Sequence, residues 1–562
     1  MRVYALLMAA AAVTTPVMAG SSTNALGTVE GAGDNTTTTT SSSSQAAATT
    51  SGGSSPSSLP TAELDYTTVQ AVGGNTTVGY YKYQNIRFAK VPTGDLRFAA
   101  PEWPDIETAI NTGTNLADAD VDCKASEDCL YLDVWAPADA AGRNLPVMVW
   151  TYGGGFTGGS KSQNTPEGLF DLSTDFVYVA YNYRVGFTGL TNGPTYQHEG
   201  GVSNLCVWDA TQAFEWVQKY ISTFGGNPDD VTAVGFSAGG SQVMFQMTRF
   251  GGRAPQLFHK AYVMSPGYVP GAGHHHAEQF WQNVSSSVGC DGGHLDCMRE
   301  VPFDDLVNAS NTIVDDYTYQ MQPRVDGFII PDTYEANLYQ GHFNFSGPCV
   351  ISHELHEANS QAYSGVDTQE DVSTYLRVFF PGISDDAVAS LLELYPEEDY
   401  ESAGLRFADM KQSFDLTAKD IALTHALNNQ TWNAEVALGA ATHGVDQNYY
   451  WYSTYTLDTS SSSSSSSSEV TASETLSAGE AASVGAVTTT VNGTIAVAMQ
   501  KYLLSFVLTG NPNSVWSEDN IYWPMFNESS AGTQIVFNDT FTVADDDLAN
   551  AKSLFWNKAL WY

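Results

Sequence analysis

Apolar and polar positions alternate in blocks along this chain rather than residue by residue. Residues 145–152, LPVMVWTY, and 176–184, FVYVAYNYR, are near-continuous apolar runs bounded by glycine or polar residues. Runs of this length without alternation predict strands covered on both faces, as in parallel sheets. Residues 209–224, DATQAFEWVQKYISTF, carry apolar side chains at helical spacing and stop at Gly225 and Gly226, so a helix is expected there. NPDD then leads into VTAVGF, a further strand, and SAGG follows it. Helix, strand, serine and a second helix therefore succeed one another. Residues 61–562 contain no internal repeat and nothing linker-like except a loop at 459–468 that carries the run Ser460–Ser468. One large domain of alternating strands and helices is the expected architecture.

The beginning of the chain follows a different pattern. MRVYALLMAAAAVTTPVMAG has a basic residue, a short apolar core and small residues ending VMA, which predicts a secretory signal over residues 1–19, cut after Ala19. The alternative, a membrane anchor, is opposed by the shortness of that core and by the lack of any later apolar stretch long enough to span a bilayer. Residues 20–60 are dominated by Ser, Thr, Ala and Gly, too poor in large apolar groups to fold, and read as a disordered, O-glycosylated stalk. Nine N-x-[ST] sequons, at Asn35, Asn75, Asn283, Asn308, Asn344, Asn429, Asn492, Asn527 and Asn538, fit a secreted, extracellular glycoprotein.

Charge and cysteine content narrow the classes of partner. Acidic residues outnumber basic ones 62 to 22 among 562 residues. Such a surface repels polyphosphate, and no cluster of Lys or Arg offers a site for nucleic acid or anionic lipid. Six cysteines allow up to three bridges whose pairing the sequence leaves open. Two short local pairs are favoured, Cys123 with Cys129 and Cys290 with Cys297. Cys206 and Cys349 lie in apolar runs and read as buried free thiols.

GFSAGG, residues 235–240, is the candidate for chemistry. A G-x-S-x-G match is weak by itself in a chain this rich in glycine and serine, and a plain turn is the competing reading. Its place after a strand and before a helix is what a nucleophile elbow requires. Ser237 would then stand at a helix N-terminus, with Gly235 and Gly239 allowing close approach of strand and helix. A serine hydroxyl needs a base, and the negative oxygen of a tetrahedral intermediate needs fixed donors. YGGGFTGG follows the run at 145–152 directly, so the backbone of Gly154 and Gly155, with Ala238 after the serine, is the candidate oxyanion hole.

These stretches resemble the type B carboxylesterase and lipase family, the cholinesterase-like α/β-hydrolases, over nearly all of residues 61–562. YQNIRFAKVPTGDLRFAAPEWP is similar to the family's N-terminal motif, SEDCLYLDVWAP to its second signature and FGGNPDDVTAVGFSAGG to its nucleophile signature. MQKYLLSFVLTGNPNSVW and YWPMF resemble family motifs near the end. The resemblance implies an α/β-hydrolase fold, with a large, mostly parallel twisted sheet flanked by helices, and catalytic order Ser, Glu, His. Arg97 and Glu127 fall at a structural ion pair. The acid belongs in a D-E-G motif, and PCVISHELHEANSQAY puts Glu357 there, with His356 and Ala358 replacing the flanking residues. Read instead as a zinc motif, HELHE fails, because His353 and His356 are three apart where a helix face needs four. Among eleven histidines, His443 in ATHGVDQNYYWY holds the family's position for the base. His425 sits in a helical pattern, and His274 to His276 read as a solvated loop.

The resemblance implies a carboxylic ester hydrolase working on a small-molecule ester, without metal or organic cofactor. Phe236 replaces the glutamate that often precedes the nucleophile, which removes an attraction for cationic alcohols. Between Cys123 and Cys129 only KASED stands where the family often carries a lid loop. Soluble esters of short to medium acyl chain are therefore expected. The alternatives are a lipase acting on long-chain acylglycerols and a catalytically silent binding or adhesion protein.

Overall fold

The computed structural model describes residues 59–562 apart from 270–272, 318–320, 359–360, 454–490 and 559–562. The signal segment, nearly all of the stalk, the sequon at Asn35 and the serine-rich loop lie outside the described residues. The domain begins with a small antiparallel pair, β1 (Thr61–Glu63) and β2 (Thr68–Gln70). Next come β3 (Gly73–Asn75), β4 (Tyr80–Arg87), β5 (Tyr131–Pro137), β6 (Leu145–Thr151) and β7 (Val177–Tyr181). The second half contributes β8 (Gly226–Phe236), β9 (Lys260–Met264), β10 (Cys349–Glu354), β11 (Thr431–Val436), β12 (Thr533–Phe537) and β13 (Thr542–Asp545).

Eleven of these strands form one sheet in the order β13-β12-β11-β10-β9-β8-β6-β7-β5-β4-β3. From β12 through β7 every neighbouring pair is parallel, and the pairs beyond are antiparallel. The apolar runs explain the difference: β6, β7 and β9 are buried almost throughout, whereas the edge strand β13 is exposed along its length. Covered strands bond well in parallel because helices take both faces of the sheet. Trp135, Trp150, Trp216 and Trp281 are among the largest fully buried side chains. A second apolar cluster, including Val372, Leu376, Phe407, Phe414 and Trp556, forms among the helices that follow β10.

Two local readings change. The helix expected over residues 209–224 begins at Leu205 and runs to Tyr220, with a 3-10 turn over Ile221–Phe224 before Gly225. Asp209 is no helix start. It is buried mid-helix, where its Oδ2 accepts from Arg184 Nε at 2.8 Å and its Oδ1 from Nη2 at 2.7 Å. His274 to His276, read as a loop, open the helix His274–Ser287, whose first residues remain exposed. The favoured cysteine pairs are both bridged, Cys123 to Cys129 and Cys290 to Cys297, while Cys206 and Cys349 are free and buried.

The expected ion pair forms as a fork: Arg97 Nε and Nη2 donate to the two Glu127 oxygens at 2.6 and 2.7 Å. Arg97 Nη1 also donates to the carbonyls of Arg299 and Val301, which ties the start of the domain to a segment two hundred residues on. The Arg184–Asp209 pair is more deeply buried, and removing one member leaves the other charge buried without its counter-ion. Asp209→Ala is therefore expected to lower the unfolding free energy by about 3–5 kcal/mol, measured by urea denaturation. A loss below about 1 kcal/mol would mean that the guanidinium finds water in the folded state.

Candidate active site

Five consecutive positions of the sheet send their carboxyl ends to one place. The glycine loop follows β6, the elbow β8, Ser265 and Gly267 β9, Glu357 β10 and His443 β11. Register does the alignment. Thr151 of β6 lies opposite Gly235 of β8, so the residues that follow, Gly153 and Ser237, emerge side by side. In an open sheet of this kind a ligand crevice lies where successive connections leave in opposite directions, as they do on either side of β6.

Ser237 has φ 55° and ψ −125°, a conformation L-residues avoid, and caps the helix Ala238–Gly252. Its neighbours hold it there: Ser237 N–H donates to Met264 O at 2.9 Å, and Gly267 N–H donates to Ser237 O at 3.0 Å. The approach of strand and helix leaves no room for a side chain at 239, where a Cβ would stand 2.0 Å from Thr151 O.

His443 Nε2 lies 2.9 Å from Ser237 Oγ, and His443 Nδ1 lies 2.6 Å from Glu357 Oε2. A parallel bridge between His356 and Thr442 fastens the two loops together, and His356 N–H donates to Ala441 O at 2.8 Å. The structure thus brings together three of the residues singled out in the sequence. Gly154 and Gly155, at φ 117° and 59°, lie in the loop beside them, where a Cβ on Gly153 would stand 2.9 Å from Ser237 Cβ. Ala238 opens the helix, so its N–H has no partner one turn back. His425 lies away in the helix Ala418–Ala426, with an exposed side chain.

Charge in this crevice is arranged around the imidazole. Burial works against a charged His443, but the Glu357 carboxylate outweighs it and holds the ring above its ordinary value. Burial likewise pushes Glu357 up, and the His443 contact reverses the direction, leaving the carboxyl below its usual range. The aromatic ring of Phe236 lies over the imidazole with centroids 4.8 Å apart.

Several residues of the site carry no signal of their own in the sequence. Glu354 N–H donates to Glu357 Oε1 at 2.9 Å, and Glu354 Oε1 accepts from Gly444 N–H at 2.9 Å. One residue therefore holds both Glu357 and the loop that carries His443. Ser265 Oγ donates to Glu354 Oε2. Burial, together with the charges of Asp446 and Glu357, raises Glu354 well above the carboxylate range; Asp446 beside it is also raised, first by burial. Two adjacent buried carboxyls raise one another because both cannot ionise cheaply. Their only visible trace was proximity, HE before the acid and GVD after the histidine.

Comparison with known proteins places this geometry. The carboxylesterase family model matches residues 66–556, and the chain belongs to that family. The carboxylesterase patB of Aspergillus clavatus is 27% identical over 580 residues, covering 90% of this chain and 97% of that one. A secreted lipase of Arthroderma benhamiae is 28% identical, covering 78% of this chain and 83% of the relative. The crystal structure of EstA from Aspergillus niger superposes with a TM-score of 0.74 at 22% identity, covering 89% of this chain and 98% of that chain. The fold is that of the α/β-hydrolases, as the resemblance implied, and the protein is a carboxylic ester hydrolase, an esterase or lipase of this family. Among the described residues no helix is long and apolar enough to cross a membrane.

The His443–Glu357 contact sets an expected pH dependence. A base must be neutral to take a proton, so kcat/KM falls as pH drops through the raised value of His443, above about 6.5. Glu357→Gln removes the largest of the charges that raise it and leaves burial, which lowers it, against the smaller pull of Asp446 and Asp415. The acid limb of the kcat/KM profile is expected to move to lower pH while kcat falls about 10³–10⁴-fold. An unmoved limb would show that another group titrates.

Proposed function

We propose that the protein is a secreted serine esterase that hydrolyses soluble esters of short to medium acyl chain through an acyl-enzyme on Ser237. The observation that carries this reading is the continuous chain of contacts from Ser237 Oγ through His443 to Glu357, at 2.9 and 2.6 Å. His443 Nε2 takes the hydroxyl proton as Oγ attacks the ester carbonyl. The carbonyl oxygen becomes an anion and accepts from the backbone N–H groups of Gly154, Gly155 and Ala238. His443 then gives its proton to the departing alcohol. Water then attacks the acyl carbon as the same imidazole takes its proton. The acyl–oxygen bond to Ser237 breaks, His443 returns that proton to Ser237 Oγ, and the acid leaves. Glu357 keeps Nδ1 protonated throughout and offsets the charge on the ring.

Short acyl groups are favoured by what stands near the serine. A Cβ on Gly267 would lie 3.3 Å from Ser237 Oγ and equally close to Leu416 Cδ2, so this side of the site is narrow and apolar. The bridge from Cys123 to Cys129 encloses only KASED, too few residues for a cover. Phe236 occupies the position beside His443 from which a carboxylate would attract a cation. The sequons at Asn75, Asn308, Asn344, Asn492 and Asn527 are exposed, in keeping with an exported glycoprotein.

A fluorophosphonate probe followed by peptide mapping is expected to label Ser237 in the wild type and to fail with His443→Ala. Ser237→Ala is expected to reduce kcat/KM on p-nitrophenyl butyrate by at least about 10⁴-fold. Across an acyl series, acetate or butyrate is expected to exceed palmitate about tenfold or more, with no jump at an emulsion interface. Preference for long-chain glycerides with interfacial activation would make the protein a lipase. Absence of hydrolysis in the wild type from pH 5 to 8 would remove the enzymatic reading.

A further inference from the structure

A second group of chemistry-bearing residues sits on the sheet behind the acid loop. His353 of β10 is the register partner of Glu435 of β11, so both side chains leave the same face of the sheet. Val536 of β12 pairs with Glu435, and Gln534, two positions earlier, shares that face. Asp547 follows β13 and folds back over them. One ligand atom from each of His353, Glu435 and Asp547 lies within 4.8 Å of the other two.

His353 is 4% exposed, yet its Nε2 makes no hydrogen bond among the described residues. The Asp547 Oδ1 that it faces is 3.6 Å away. That is longer than an N–H···O bond, about 2.7–3.2 Å. It is close to the roughly 3.3 Å that separates two ligand atoms each about 2.0–2.1 Å from a tetrahedral ion. On the other side of the ring, Nδ1 lies 3.3 Å from Asp420 Oδ2, a buried carboxylate. With Nδ1–H turned to that carboxyl, Nε2 is the nitrogen aimed at the group, the arrangement that orients a metal-binding histidine. The surrounding carboxylates hold the imidazole above its ordinary value, so a cation would bind there by displacing the Nε2 proton. Gln534 is 1% exposed, with Oε1 unpartnered and Nε2 donating to Asp547 Oδ1 at 3.1 Å. Turning the amide over would present a fourth donor oxygen.

The charge balance points the same way. Asp420, Glu435, Asp546 and Asp547 surround one imidazole, and among the described residues no Lys or Arg forms an ion pair with any of them. Asp547 is about half exposed, which leaves the group open to ions from solvent.

We propose that His353, Glu435 and Asp547 bind a divalent cation of the zinc class, with Asp420 orienting the histidine and Gln534 completing the donor set. One imidazole and two carboxylates suit Zn²⁺ better than Ca²⁺ or Mg²⁺, which take oxygen donors. The site is structural. It ties β10 and β11 to the segment after β13, and His353 precedes Glu354, whose backbone N–H holds the catalytic acid. It differs from a zinc motif within HELHE, because the second histidine there, His356, is exposed and takes no part.

The test uses the full chain, stripped with EDTA and then titrated with Zn²⁺ at pH 7.5 by calorimetry, with Tm followed in parallel. One equivalent is expected to bind and to raise Tm by several degrees. Asp547→Asn, at a half-exposed position, and Glu435→Gln are each expected to weaken binding at least tenfold. Replacing His274, His275 and His276 by alanine is expected to leave it unchanged. Fluorophosphonate labelling of Ser237 in the stripped protein reports the ester-hydrolase reading independently. A wild type that binds no Zn²⁺ below millimolar concentration would overturn the proposal and leave His353 a buried imidazolium among carboxylates. Binding that survives both carboxylate variants but is lost with the three histidines at the start of the helix His274–Ser287 would overturn it equally.

Discussion

The close, parallel approach of β6 and β8 is the constraint on which the rest of this structure depends. With Thr151 opposite Gly235, the chain leaves both strands at one level and must turn sharply within a space that admits no side chain at 153, 235 or 239. Ser237 takes up the turn at φ 55°. Such a conformation costs of order 1–3 kcal/mol and persists only where surrounding packing holds it. Here the hold is provided by the buried strands β6 and β9 on either side and by bonds linking Ser237 to Met264 and Gly267. Strain, hydroxyl direction and the adjacent glycine loop are thus one feature rather than three.

A second constraint is the scarcity of positive charge. With 22 basic residues against 62 acidic ones, the chain places several of its cations inside. Arg97 holds Glu127, Arg184 holds Asp209, Lys161 lies 2.8 Å from Asp133 with both fully buried, and Lys419 lies 3.3 Å from Glu335. Interior carboxyls left over must be satisfied otherwise, because an isolated buried charge is too costly to keep. Glu354 and Asp446 lie together behind His443, where burial raises both above the carboxylate range. The carboxylates around His353 face a histidine whose outer nitrogen makes no hydrogen bond among the described residues, the opening for the proposed cation.

Legibility in the sequence followed the range of the signal. Ser237 could be read because strand, glycine spacing and helix lie within a few residues of it. Glu357 and His443 could be read only through resemblance to a family with a fixed chain order, since HEA and THG name no chemistry by themselves. From the sequence the helix is expected to begin at Asp209, four residues late, and nothing near that residue in the sequence announces Arg184 across the core. Glu354, Asp446 and Ser265 were missed for the same reason: their partners come from three different strands.

By itself the sequence determined the elements and the chemical groups available. Periodicity and glycine placement act over one or two turns and need no knowledge of neighbours. Tertiary structure alone decided which groups meet, because Ser237 and His443 are 206 positions apart and touch only through the order and register of the strands between them. The same holds for His353 and Asp547. Convergence is a property of the sheet, and the sheet is assembled from contacts that no local window contains.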